Sequence, residues 1–139
     1  MSWWGYALLS AVAAAATAIL AKVGVEGVPS NLATAIRTVV VLVFVVALVA
    51  VGGEYRALSS LSSRSLLFLV LSGLATGLSW LAYFRALQMG PASLVAPLDK
   101  LSLPLTIVLA ATLLGETVSL RMGIGVLLMV GGALLTVRH

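Results

Sequence analysis

Apolar residues fill five stretches of this chain, residues 3–21, 32–51, 65–88, 92–114 and 118–137, and polar residues collect in the short gaps between them. A helix needs about 20 mostly apolar residues to cross the hydrocarbon core of a bilayer. Each stretch approaches or meets that length, so the pattern predicts an all-α integral membrane protein with five transmembrane helices.

The gaps carry helix-end signals. Ser30 or Asn31, after Pro29, is the expected cap of the second span, and Ser62 or Ser63 that of the third. Gly90 and Pro91 predict a tight turn, with the glycine left-handed at the end of one helix and the proline in the first turn of the next. Gly115 is expected to end the fourth helix, with Glu116 near the exposed amides that start the fifth. Connections this short make neighbouring helices antiparallel. The longest gap, residues 52–64, has room for an interfacial helical turn but not for a catalytic domain.

Composition agrees with this pattern. Of 139 residues, 62% are hydrophobic and 9% charged, far too few charges to cover a soluble domain of this size. The chain has no cysteine, which excludes thiol catalysis and thiolate metal sites. The net charge of +4 is spread singly, unlike the basic clusters that hold nucleic acid. Small residues at Ala14, Ala16 and Ala18 imitate a signal-peptide cleavage site. No Lys or Arg precedes that apolar stretch, however, and Trp3 with Trp4 reads as an interfacial anchor of a retained first span.

Topology is weakly specified. Lys22, Arg37, Arg85 and Arg138 fall toward one face, here the B face, and Arg56, Arg64 and Arg121 toward the other. Four against three slightly favours a cytoplasmic C-terminus and also permits insertion in both orientations. Two oppositely inserted copies would form an inverted-topology pair of the kind secondary transporters often encode as internal repeats. The chain itself contains no such repeat.

Asp99 and Lys100 are the costliest placement, because a charge in hydrocarbon costs several kcal/mol unless it is paired or lines an aqueous cavity. Asp99 lies about 10 Å into a helix that begins at Ala92, and Arg37 about 8 Å into the second helix from the same face. Their similar depth makes Arg37 a candidate partner for Asp99. Consecutive helical side chains point about 100° apart, so adjacency in sequence does not by itself pair Asp99 with Lys100. Pro97 and Pro104 flank the two charges and free backbone carbonyls, which marks this helix for a bend. Lys100 is then free to face an anionic group or a proton, and Asp99 a cation or a proton. The opposing interpretation is a salt-bridge network with a purely structural task.

Trp80, Tyr83 and Phe84 cluster in the third span, and Trp80 and Phe84, four residues apart, share a face that would suit an apolar or cationic solute or ordinary packing. Arg85 reads as a snorkelling anchor. Gly73 and Gly77 have the small-xxx-small spacing that permits close helix approach. No nucleotide motif, zinc pair or nucleophile triad is present, so no enzyme activity, cofactor or metal is expected.

The motifs Ala35-Ile36-Arg37, Trp80-Leu81-Ala82-Tyr83-Phe84-Arg85-Ala86-Leu87, the run from Ala92 to Ser102, and Leu113-Leu114-Gly115-Glu116 together resemble the EamA family of the drug/metabolite transporter superfamily. The likeness is to its small, single-domain, five-span members and covers essentially the whole chain, residues 1–139. It implies ATP-independent movement of a small metabolite or drug across a prokaryotic inner or plasma membrane. Common full-length members resemble two inverted five-helix halves in ten spans. The resemblance therefore implies an antiparallel homodimer, or a separate chain as the missing half. Arg85 stands where the broader family often has an aromatic residue, and the Asp99-Lys100 pair is not general to ten-span members, so no substrate carries over from a relative. The rival expectation is a non-transporting membrane scaffold or regulatory subunit.

Overall fold

The computed structural model describes residues 2–137; Arg138, counted above among the B-face charges, lies outside the described residues. Six α-helices follow in order: α1 (Trp3–Gly24), α2 (Ser30–Gly52), α3 (Ser63–Met89), α4 (Ala92–Asp99), α5 (Ser102–Leu113) and α6 (Leu120–Val137). A short 3-10 helix, Glu54–Ser60, occupies the longest connection, where an interfacial turn is expected. Five segments are long and apolar enough to cross a membrane, with α4 and α5 together forming the fourth, Ala92–Leu113. Large apolar side chains stay exposed along every one of them, the reverse of a soluble core and the expected surface of a chain solvated by lipid.

The helix ends explain where hydropathy misplaces boundaries. The α2 helix starts at Ser30, two residues before its apolar run, with Pro29 as the N-cap residue at φ −54° and ψ 132° and no side-chain cap. Ser30 therefore does not cap; its carbonyl accepts the Thr34 hydroxyl at 2.9 Å, which keeps that buried hydroxyl satisfied within the helix. Ser62 does cap α3, its Oγ accepting the Ser65 amide at 3.0 Å. Gly90 does not take a left-handed conformation, and Pro91 stands just outside α4 in an extended one, with φ −70° and ψ 143°. Glu116 lies four residues before α6, and the Ser119 hydroxyl caps that helix by accepting the Met122 amide at 3.2 Å.

Gly115 ends the fourth span as anticipated, at φ 69°, and the turn it makes lets the Glu116 amide reach the Ala110 carbonyl at 3.2 Å. An added Cβ would meet open space there, so only backbone strain opposes a side chain. Gly115→Ala should destabilise the protein by about 1–2 kcal/mol, read as a lower midpoint of thermal unfolding in detergent.

The described residues form two compact units: residues 2–19 with 90–137, and residues 20–89. In the second, α2 packs against α3. Its buried side chains gather at one end, where the last turns of α1 and α3 meet the start of α2: Ala21, Val25, Ser30, Ala33, Thr34, Phe84 and Leu87. Leu87 is fully enclosed. In the first unit, α6 packs against both α4 and α5.

Candidate functional site

Ser30, Ala33, Thr34 and Arg37 recur at helical spacing on one stripe of α2, and the first three are buried. Arg37 continues that stripe toward the bilayer interior. With α2 beginning at Ser30, it lies about 10 Å from the helix start. Its guanidinium sits over the Trp80 ring, 4.1 Å from the centroid, and 5.5 Å from that of Phe84. Trp80 and Phe84 do share a face of α3, and the protein's own Arg37 lies against both rings. Tyr83 packs edge-on to Phe84, with centroids 6.5 Å apart and an interplanar angle of 69°.

A stacked cation recovers about 2 kcal/mol or slightly more when desolvated, less than the cost of carrying the charge into hydrocarbon. Among the described residues Arg37 has no hydrogen-bond acceptor and no carboxylate partner. Its partners lie within its own unit, and they are aromatic.

The same end of this unit is stitched by polar side chains. Lys22 Nζ donates to the Leu87 carbonyl at 2.6 Å, satisfying one of the acceptors that the last turn of α3 leaves open. Gln88 Nε2 donates to the carbonyls of Val28 and, at 3.4 Å, Val25, in the α1–α2 turn. Arg85 Nη1 in turn donates to Gln88 Oε1 at 3.3 Å. Sequence reasoning counted Lys22 as a loop charge and Gln88 as a span end. The signal for both was an amide and an ammonium at helix C-termini beside a very short turn, where backbone carbonyls need donors. Pro29, Ser30, Asn31, Leu81, Arg85 and Gln88 line an open recess of about 520 Å³ beside this stitching.

Asp99 and Lys100 lie in the other unit, and there they do pair with each other. Lys100 Nζ is 3.2 Å from Asp99 Oδ2, with side-chain exposures of 55% and 36%. The 100° argument requires a continuous helix, and α4 stops at Asp99. Prolines set the break. Pro104 has no amide to offer the Lys100 carbonyl, which accepts the Leu103 amide at 3.0 Å instead. Before it the backbone tightens: the Lys100 amide is shared between Ala96 at 3.3 Å and Pro97 at 3.2 Å, and the Leu101 amide reaches Leu98 at 3.0 Å. The ion pair thus sits at an interruption of the fourth span, roughly 10 Å from the start of α4.

Gly73 and Gly77 meet no neighbouring atom within 4 Å of an added Cβ, so their small-residue stripe is open in this chain. Among the described residues no group of three or more His, Asp or Glu side chains is arranged to hold a metal.

Five spans, an interrupted helix carrying an ion pair, and an arginine set against aromatic rings inside the α2–α3 unit define a multi-pass membrane protein with charged side chains within its spans. Residues 1–138 match the EamA-like transporter family, and the chain belongs to that family. A relative from Sinorhizobium sp, described as an "uncharacterized transporter in cobO 3'region", is 52% identical over 134 residues, which are 96% of this chain and 95% of the relative. No solved structure matches the chain. The family is one of transporters and not of enzymes, in keeping with a chain nearly all of whose length is membrane span.

Proposed function

We propose that the protein is a secondary transporter that moves a small metabolite or drug-like solute by alternating access, as an antiparallel homodimer. The observation that carries this reading is the fourth span, interrupted midway at the Asp99–Lys100 pair between Pro97 and Pro104. A span held only for packing has no need of two charges and a broken backbone at that depth. In this reading Asp99, Lys100, Arg37, Trp80, Tyr83 and Phe84 contribute to the pathway of substrate or coupling ion, and the two prolines let its helix bend. The second copy, inserted oppositely, supplies the other half of a ten-helix inverted architecture. The open stripe at Gly73 and Gly77 is compatible with close approach of another helix.

Purified protein in proteoliposomes should show solute flux driven by a gradient. No flux across a panel of anionic, cationic and uncharged metabolites would favour the scaffold reading. Orientation has its own test. Val28→Cys and Ser59→Cys, placed in connections on opposite faces, should both be labelled from outside intact cells to a comparable extent. Labelling of one position alone would remove the antiparallel dimer.

A further inference from the structure

We infer that the solute recognised at the α2–α3 seam carries an acidic group, a carboxylate or phosphate, and that Arg37 is the residue that binds it. This rests on the transporter reading and adds the chemical class of its substrate. The Arg37 guanidinium carbon lies over the Trp80 ring, 4.1 Å from its centroid, and a ring contact leaves guanidinium N–H bonds without an acceptor. Among the described residues nothing accepts a hydrogen bond from that edge, although Arg37 lies within a membrane span. The rings hold in place a group whose two parallel N–H bonds match the two oxygens of a carboxylate or phosphate.

The surroundings have the same sign. Lys22 and Arg85 stand at this end of the unit, whose only nearby carboxylate, Glu26, is exposed in the α1–α2 turn. Leu81, Arg85 and Gln88 form the α3 stripe next to that of Trp80, Phe84 and Leu87, so the 520 Å³ recess they help to line lies beside the stack. An anion is drawn to that recess by Arg85 and passes to Arg37. A cation meets repulsion at both positions and finds its aromatic surface already taken.

Trp80 supplies the readout. The full chain carrying Trp3→Phe and Trp4→Phe keeps Trp80 as its remaining tryptophan. In neutral detergent, inorganic phosphate or succinate should change its emission saturably, and choline and glycerol should not. Arg37→Lys, which keeps the charge but loses the fork, should weaken the response about tenfold or more. Arg37→Gln should abolish it. Arg85→Gln, at an exposed position, should weaken it severalfold. Equal responses to choline or glycerol, no response to either anion up to about 10 mM, or binding unchanged in Arg37→Lys would overturn the inference. A response in nanodiscs to phosphatidylglycerol but not phosphatidylcholine, with no competition from soluble anions, would assign the site to a lipid headgroup and also overturn it. Anion binding without flux would remove the transporter reading and leave this one standing. Flux of uncharged solutes unaltered by Arg37→Lys would do the opposite.

Discussion

Leu87→Ala is expected to cost about 2–5 kcal/mol of stability. Leu87 is 0% exposed, at the junction where the last turns of α1 and α3 meet the start of α2, and most other leucines look outward. Lipid can refill the space left by an outward leucine. It cannot refill this one, because the surrounding backbone is fixed by Lys22 on the Leu87 carbonyl and by Gln88 on the α1–α2 turn. The cavity therefore persists, and its lining loses dispersion contacts outright. Leu78→Ala is the matched control, since Leu78 is 71% exposed on the same helix and should change stability by about 0.5 kcal/mol or less. Unfolding both variants in mixed micelles measures the difference; equal losses would mean that the junction does not hold the unit together.

Neutralising the pair in the fourth span should separate stability from transport. Asp99→Asn and Lys100→Met each leave one charge without its partner at 3.2 Å. Both side chains are substantially exposed in the chain, so if they face a water-filled pathway each single change should alter stability by about 1 kcal/mol or less. Flux should nonetheless fall about tenfold or more, equivalent to about 1.4 kcal/mol in the limiting barrier. The double variant should recover whatever stability the singles lose and recover no flux. A double variant that transports normally would make the pair a structural clasp. A large loss of folded protein in both singles, reversed in the double, would say the same.

The five spans were legible because membrane crossing imposes a length and a polarity on any helix, whatever it touches. Their ends were less so. The start of α2 at Ser30 depends on the buried stripe of Ser30, Ala33 and Thr34, which tertiary packing defines and hydropathy does not. Partnerships were least legible. Depth matching points to Asp99 for Arg37, but aromatic rings can also lie against a guanidinium, and residue counts do not distinguish the two kinds of neighbour. The Asp99–Lys100 contact depends on where the helix breaks, which Pro97 and Pro104 hint at but residue spacing alone does not locate. The roles of Lys22 and Gln88 are hard to read because their partners are backbone carbonyls, which a sequence spells the same way everywhere.

The interruption of the fourth span also has a mechanical meaning. Where Pro104 has already removed a backbone donor, the angle between α4 and α5 can change without rupturing a regular helical hydrogen bond at that point. With its 12 residues α5 is a rod about 18 Å long. A rotation of about 10° at Lys100 and Leu101 sweeps its far end through roughly 3 Å, the diameter of a water molecule, while α4 stays where it is. The joint turns a small local adjustment beside an ion pair into a displacement of about 3 Å at the far end of the span.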